Sequence, residues 1–339
     1  MQKNGTIKQS TVVSFSTTRV GEETGFTGGG LYRYEIEYDA FESKAPSSLI
    51  VKTSPTDLEL RELFKGFNQR EAQFFSAAAP QYLPIPNCYY ASSNFETGES
   101  ILLLEDLKDY RVVDILTGCN RQEVELVITS MADIHAYWWQ DARLKNFSGA
   151  EFLLEIPFDE LWAEYPQKVA ELLPDFQLPP LLLDIGRLAV AKIDRIFNHL
   201  NETAVITCIH RDLHVDNILF GAEDAIILDW QCVGRGRAAY DISYFMISSV
   251  PIHLRREIEQ EMLQLYYRTL IEKGVTNYSF ESCWLDYRLA MITKLHISLL
   301  ATVRLDNETP HKKAWRRRDL ERLIAFCEDH SIEAFLKNF

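Results

Sequence analysis

Alternating apolar and polar positions dominate the first hundred residues, and this pattern predicts β-strands. The runs TVVSFSTTRV (11–20) and LYRYEIEYDA (31–40) are rich in β-branched and aromatic residues, and the glycine cluster GEETGFTGGG (21–30) separates them. SLIVKT (48–53) is a shorter apolar strand that carries one lysine. ESILLLEDL (99–107) is typical of a buried strand that ends in a polar exit.

Helical spacing of apolar residues replaces this alternation in the rest of the chain. One helix is predicted among the strands, DLELRELFKGFNQREAQFFSAAA (57–79), with Thr56-Asp57 as its N-cap. The runs RQEVELVITSMADIHAYWW (121–139) and LPPLLLDIGRLAVAKIDRIFNHL (178–200) are amphipathic at the helical period. Further helical patterns continue to Phe339.

The change of pattern predicts an α+β protein with two lobes. We expect a strand-rich N-terminal lobe over residues 1–107, which ends in a hinge near Leu107, and a helix-rich C-terminal lobe over residues 108–339. The six cysteines are scattered without a C-x-x-C pair, which favours reduced thiols in a cytoplasmic protein. The N-terminus lacks the apolar core of a secretory signal, and no apolar run reaches the length of a membrane span.

The formal net charge of −14 and the pI of about 5.1 argue against nucleic acid as a partner, because phosphate binding needs a basic surface. The basic run HKKAWRRRDLERL near the C-terminus could form an anion patch or a localisation tag, but the favoured interpretation is an amphipathic helix with one solvated face.

The segment CIHRDLHVDNILFGAEDAIILDW (208–230) places polar residues within apolar surroundings, where they need partners or a task. Its pattern is strand, turn, strand. Asp212 and Asn217 lie on one loop, and Asp229 ends the next short strand twelve residues later. One interpretation is that they cap the turns of a hairpin. The other, which we favour, is phosphoryl transfer: Asn217 and Asp229 offer the oxygen ligands that Mg²⁺ prefers, and Asp212 faces an acceptor hydroxyl.

The first lobe holds residues that suit a bound nucleotide. Gly28 and Gly29 belong to a glycine-rich turn whose backbone N–H groups can lie over phosphates, although such clusters often only form hairpin turns. Lys52 lies within an apolar strand. It either faces water at an edge of the sheet or binds the α- and β-phosphates of a nucleotide. A glutamate on the following helix would hold it in place. Glu71 is the first candidate for that glutamate and Glu62 the second.

With these motifs in place, the chain resembles the aminoglycoside phosphotransferase and choline kinase superfamily, and most closely its ecdysteroid-kinase-like branch. The resemblance extends over most of the chain. It is carried by REAQFFSAAAPQYLPIPNCYYA (70–91), LLLEDL (102–107), MADIHAYWW (131–139), HRDLHVDNILF (210–220) and LDWQCVGRGRAAYDISYF (228–245). It implies the bilobal protein-kinase-like fold and an ATP- and Mg²⁺-dependent kinase that acts on a hydroxyl group of a small molecule.

The resemblance also implies roles for single residues. Asp212 corresponds to the catalytic base, Asn217 and Asp229 to the Mg²⁺ ligands, Lys52 to the phosphate lysine and Glu71 to its partner. Glu105 and Leu107 fall where the hinge backbone binds adenine. His210 and Asp241 correspond to structural residues behind the catalytic loop. Arg211 is a departure, because many small-molecule kinases of this group carry glycine there.

Two other interpretations compete with a small-molecule kinase: a protein kinase and a catalytically silent kinase-like scaffold. A protein kinase needs a long activation segment after its metal-binding aspartate, but only twelve residues separate Asp229 from Asp241, and no Ala-Pro-Glu follows. A catalytically silent kinase-like scaffold usually loses the lysine, the base or a metal ligand, whereas this chain keeps all of them. The sequence therefore favours an active small-molecule kinase, with the silent scaffold as the alternative.

The acceptor stays open between two classes. Residues 151–184 carry eight acids and one base, which would attract an amino sugar or amino alcohol. The preferred interpretation is that these acids coat solvated helix faces. The same segment is rich in Leu, Phe, Trp and Pro, which suits a sterol-like alcohol. His135, on the apolar face of MADIHAYWW, is interpreted as a structural core residue.

Overall fold

The computed structural model describes residues 7, 9–20, 29–78, 82–149, 157–202, 205–304 and 309–339. The chain forms two compact units. The first contains Met1–Arg111 together with Ile226–Val233, and the second contains Val112–Ala225 together with Gly234–Phe339. The boundary between the two units thus falls after Arg111, four residues beyond Leu107. The segment Ile226–Val233, which contains Asp229, also belongs to the first unit.

The first unit is built on a five-stranded antiparallel sheet in the order β1-β2-β3-β5-β4. Its strands are β1 (Val12–Arg19), β2 (Gly30–Tyr38), β3 (Ser48–Thr53), β4 (Cys88–Ser93) and β5 (Ser100–Glu105), and one helix, α1 (Leu58–Ala77), follows β3. The strands and the helix predicted from the apolar pattern are all present.

Local chemistry accounts for the central strand and the helix of this unit. Leu49 and Val51 of β3 are buried on alternate positions, as a half-buried strand requires. Asp57 caps α1, because its side chain accepts a hydrogen bond from the Leu60 N–H over 2.9 Å. Phe64 and Phe74 are among the α1 residues that enter the core.

The second unit is helical. Its helices are α2 (Arg121–Tyr137), α3 (Phe158–Leu172), α4 (Pro180–Leu200), α5 (Ala239–Ser249), α6 (Ile252–Glu272), α7 (Phe280–Arg304), α8 (Pro310–Asp329) and α9 (Ile332–Asn338). Three short strands also belong to this unit: β6 (Thr207–Ile209), β7 (Ile218–Phe220) and β9 (Gly234–Gly236). A fourth, β8 (Ala225–Ile227), begins in this unit, and its last two residues belong to the first unit. β6 pairs with β9 in antiparallel orientation.

Helix α5 is the centre of this unit, since all of its residues are buried. It packs against α7, and α7 packs in turn against α3. This arrangement holds the loop that follows β6 against the most buried helix of the unit. The residues of that loop are therefore placed by the core and not by a solvent-exposed turn.

The C-terminal basic run is only partly solvated. In α8, Arg317 and Arg318 are exposed and pair with Glu321. Arg316 and Arg322 instead point inward, where Arg316 donates to Thr302 Oγ1 and Arg322 to backbone carbonyl groups. The run therefore forms an amphipathic helix with one solvated face, as the sequence predicts, and two of its arginines lie on the buried face.

No helix among the described residues combines the length and the apolar character needed to cross a bilayer. All six cysteines are free thiols.

Candidate active site

Lys52 is held between two carboxylates of the first unit. Its Nζ lies 2.9 Å from Glu71 Oε2 and 2.6 Å from Asp229 Oδ1. Burial alone would lower the pKa of Lys52, but the two carboxylates outweigh it and raise that pKa above its usual value. The lysine therefore carries its charge at any physiological pH.

The structure selects Glu71 over Glu62 as the partner of this lysine. Glu71 is buried on α1, and burial raises the pKa of its carboxyl group even though Lys52 opposes that shift. Glu62 is exposed and instead pairs with Lys65, three residues further along the same helix. The pairing of Lys52 with Glu71 that the sequence predicts is thus present.

Asp229 adopts a left-handed backbone conformation, with φ of 57° and ψ of 66°. Non-glycine residues rarely adopt it, and such strain often occurs at functional sites. Its Oδ2 accepts a hydrogen bond from Gln231 Nε2 over 2.9 Å, while Oδ1 faces Lys52. Both oxygens are thereby oriented by neighbours of the same unit.

Trp230 anchors this aspartate, and sequence reasoning missed its role. Its indole stacks on Phe74 of α1 with ring centroids 4.0 Å apart, and its Nε1–H donates to the Ile227 carbonyl over 3.1 Å. Arg70 adds a hydrogen bond to the Gln231 carbonyl. The sequence shows only that a tryptophan directly follows the strand-terminal aspartate, and its full burial is visible in the structure alone.

The loop that follows β6 in the second unit is fixed through its backbone by Asp241. The two carboxylate oxygens accept hydrogen bonds from the backbone N–H groups of His210, over 2.7 Å, and Arg211, over 2.9 Å. His135 supports Asp241 with Nε2 at 3.1 Å, and its Nδ1 lies 2.6 Å from the Tyr266 hydroxyl. His135 and Asp241 therefore have the structural surroundings that the sequence interpretation gave them.

The Asp212 carboxylate lies between a tyrosine and a histidine. The Tyr244 hydroxyl donates to Oδ1 over 2.9 Å, and His214 Nε2 lies 3.6 Å from Oδ2. Burial raises the pKa of Asp212, but the imidazoles of His214 and His210 outweigh it and hold that pKa well below its usual value. Burial and the adjacent Asp212 also raise the pKa of Tyr244, so the tyrosine remains a donor at neutral pH.

Asn217 presents its amide in one orientation. Its Nδ2 donates to the Asp212 carbonyl over 2.9 Å and faces His214 Nε2 at 3.3 Å. Within the described ranges, no hydrogen bond to Asn217 Oδ1 is found. The carbonyl oxygen of this side chain is thus the atom available to a ligand.

These residues fit Mg²⁺ and not a transition metal. The described part of the chain contains no cluster of three or more His, Cys, Asp or Glu side chains suited to holding a metal ion. Asn217 and Asp229 would supply one amide oxygen and one carboxylate. Hard oxygen donors in this small number are typical of Mg²⁺, which completes its coordination with phosphate and water.

Arg211 occupies a position where the resemblance implies glycine, and the structure shows how the large side chain is accommodated. Its φ is +71°, a value that glycine adopts freely. Its guanidinium is buried and donates to the carbonyl groups of Ser148, over 2.6 Å, and Gly149. Gly234 makes room for it, because a Cβ at that position would lie 1.9 Å from Arg211 Cζ.

Three other residues that are predicted to contact the nucleotide are Gly28, Gly29 and Glu105. Gly28 lies outside the described residues. Gly29 packs against β3, since a Cβ there would lie 1.8 Å from the Thr53 carbonyl oxygen. At the end of β5, the Glu105 N–H donates to the Asn87 carbonyl over 2.8 Å.

The Leu107 carbonyl accepts a hydrogen bond from the Tyr110 N–H over 3.0 Å. The Glu105 N–H and the Leu107 carbonyl are therefore already hydrogen-bonded within the protein.

The acids of the acceptor segment lie on exposed or half-exposed positions wherever they are described. Glu164 forms an ion pair with Arg304 over 3.0 Å, and Asp184 pairs with Arg187 over 2.6 Å. This agrees with the interpretation of solvated helix faces. Glu151 and Glu155 lie outside the described residues.

Comparison with known proteins agrees with this arrangement. A model of the ecdysteroid kinase-like family matches residues 27–139 and 159–276, together about two thirds of the chain. No curated protein matches the sequence.

Three solved structures share the fold. A choline kinase from Cryptosporidium parvum Iowa II has a TM-score of 0.56 at 12% identity, and the match covers 94% of this chain and 91% of that one. A choline/ethanolamine kinase family protein from Mesorhizobium loti has a TM-score of 0.53 at 12% identity, and the match covers 95% of this chain and 92% of that one. An ethanolamine kinase from Plasmodium vivax has a TM-score of 0.52 at 14% identity, and the match covers 93% of this chain and 82% of that one. The predicted protein-kinase-like α+β fold and the resemblance to this superfamily are confirmed.

Proposed function

Because the chain belongs to the ecdysteroid kinase-like family, we propose that it is a kinase that uses ATP and Mg²⁺ to phosphorylate a hydroxyl group of a small molecule. The observation that carries the proposal is the position of Lys52 between Glu71 and Asp229. In kinases, such a lysine contacts the nucleotide phosphates.

In this proposal the first unit binds the nucleotide. Lys52 contacts the α- and β-phosphates, and Glu71 keeps its ammonium group in place. Gly28 and Gly29 contribute backbone N–H groups to the phosphates. Glu105 and Leu107 belong to the segment that receives adenine.

Asp229 and Asn217 would hold Mg²⁺, which neutralises phosphate charge when it is bound. Asp229 already has a fixed orientation through Gln231, and Asn217 through the Asp212 carbonyl. Ligands that are oriented before the metal binds pay a smaller entropy cost on binding.

Asp212 would act on the acceptor. Its carboxylate accepts a hydrogen bond from the acceptor O–H, the oxygen attacks the γ-phosphorus, and the bond from that phosphorus to the β-phosphate oxygen breaks to release ADP. The proton passes to the carboxylate late in the reaction. Asp212 thus both orients the hydroxyl and takes up its proton.

The acceptor stays a prediction among an amino sugar, an amino alcohol and a sterol-like alcohol. The acids described in residues 157–184 are exposed or half-exposed, and Glu164 and Asp184 form ion pairs, so these acids do not by themselves favour a cationic acceptor. A location in the cytoplasm is part of the same proposal and is supported by the free thiols.

The test is a screen of the purified protein for acceptor-dependent release of ADP in the presence of ATP and Mg²⁺. The panel covers amino sugars, amino alcohols and sterols, and Asp229→Ala is the control for the metal site. We expect one acceptor class to raise ADP release in the parent protein but not in the variant. A folded protein that binds no ATP with Mg²⁺ would instead support the silent scaffold.

A further inference from the structure

Tyr244 contacts the carboxylate of Asp212, which acts on the acceptor hydroxyl in the proposed function. Its hydroxyl donates to Asp212 Oδ1 over 2.9 Å, and both residues belong to the second unit. The second oxygen of the same carboxylate, Oδ2, lies 3.6 Å from His214 Nε2, which is longer than an ordinary hydrogen bond. The two oxygens of Asp212 therefore have different surroundings.

Helix α5 fixes the loop at three points from one face. Asp241 and Tyr244 are three residues apart, so they project from the same side of the helix. Asp241 accepts the backbone N–H groups of His210 and Arg211, and Tyr244 reaches the side chain of Asp212. The backbone of the loop and the orientation of its acid thus depend on the same buried helix.

The tyrosine ring is itself held in place. It stacks on Tyr240 with ring centroids 6.4 Å apart and an interplanar angle of 17°. Lys294 Nζ lies 5.0 Å from the ring centroid of Tyr244 and is in turn bonded to Asp319 over 2.7 Å and to Ser298 over 2.8 Å. A ring with a stacked neighbour and a buried cation on its face has little freedom to rotate. Its hydroxyl is therefore preorganised.

We propose that Tyr244 is a positioning residue for phosphoryl transfer, which fixes the Asp212 carboxylate so that Oδ2 receives the acceptor hydroxyl. The proposal rests on the proposed function. A carboxylate without such a partner rotates about its last torsion angle and offers either oxygen. Productive transfer requires the reacting atoms to be held at close distance with defined orientation.

Tyr244→Phe tests this role, because it removes the hydroxyl and keeps the ring. We expect kcat for acceptor-dependent ADP release to fall roughly 10- to 100-fold, the range for losing one hydrogen bond to a charged group. The affinity for ATP with Mg²⁺ should stay within about twofold of the parent value, since Lys52 and the proposed metal ligands are unchanged.

Tyr240→Phe is the matched control. It removes a hydroxyl from the other ring of the stacked pair, and that hydroxyl lies 3.5 Å from the Arg211 carbonyl and not on Asp212. Its kcat should change by less than about twofold. In an Asp212→Ala background, Tyr244→Phe should cause no further loss, because residues that act as a unit are not additive.

A crystal structure of the Tyr244→Phe protein supplies a measurement that needs no turnover. We expect the Asp212 carboxylate to rotate in Tyr244→Phe and to keep its orientation in Tyr240→Phe. An unrotated carboxylate, an unchanged kcat in Tyr244→Phe, or equal losses in both tyrosine variants would overturn the proposal. A parent protein without ATP binding or turnover would contradict the proposed function alone, and the rotation of Asp212 would still decide the positioning role.

Discussion

Replacing Lys52 by methionine should destabilise the first unit, because two carboxylates lose the cation they share. Glu71 contributes most of the effect, since its side chain is 3% exposed, whereas that of Asp229 is 28% exposed and can turn towards water. Breaking a buried ion pair by removing one partner costs about 3–5 kcal/mol. With one of the two carboxylates partly solvated, we expect a loss of about 3 kcal/mol at pH 8. Methionine keeps the length of the side chain, so lost packing contributes little.

Protonation of Glu71 can relieve this loss, and this fixes the sign of the pH dependence. Burial already raises the pKa of Glu71 in the parent protein, and removal of Lys52 raises it further. Between the ordinary glutamate pKa and this raised value, the folded state binds more protons than the unfolded state. The free energy of unfolding of Lys52→Met should therefore increase as the pH falls from 8 to 5.

Urea denaturation followed by circular dichroism at pH 5 and pH 8 measures both effects. The double variant Lys52→Met/Glu71→Gln should recover part of the lost stability and remove the added pH dependence. Lys65→Met is the matched control, because its partner Glu62 is largely exposed and such surface pairs contribute about 1 kcal/mol or less. A Lys52→Met protein as stable as the parent at pH 8, or equally destabilised at both pH values, would refute the reasoning.

Two further predictions follow from the same contacts. Lys52→Ala should weaken ATP binding more than Glu71→Ala, and calorimetry on the double variant should show a loss smaller than the sum; strict additivity would argue that the two residues do not act as a unit. Gly234→Ala should destabilise the second unit by roughly 1–3 kcal/mol in urea denaturation, because its Cβ would lie 1.9 Å from the buried Arg211 Cζ. Gly236→Ala, whose Cβ would meet only the flexible end of Ile209, should cost less, and equal losses would contradict this account.

The order of the motifs along the chain was sufficient to predict the fold and the lysine pair. Lys52 lies on a strand directly before a helix, and Glu71 on that helix was the first candidate for its partner. The alternation of apolar residues in β3 and their helical spacing in α1 are local signals, which survive in a single sequence.

Contacts between distant parts of the chain could not be predicted in this way. The stacking of Trp230 on Phe74 and the hydrogen bond from Tyr244 to Asp212 depend on packing between elements, which no local pattern encodes. The amphipathic pattern of α8 predicts one solvated and one buried face, but only the tertiary structure shows that Arg322 reaches backbone carbonyl groups. The sequence shows that Arg211 departs from the glycine implied by the resemblance. It does not show that Gly234 leaves the room that the Arg211 guanidinium occupies.

The central claim, that Asp212 acts on the acceptor hydroxyl, is tested most directly by a paired measurement on Asp212→Asn. Asparagine keeps the shape and the contact with Tyr244 but cannot take up the proton. We expect kcat for acceptor phosphorylation to fall roughly 10²–10⁴-fold while the affinity for ATP with Mg²⁺ stays unchanged. Undiminished turnover would contradict a catalytic role for the loop, and lost ATP binding would make Asp212 a metal ligand or a structural residue.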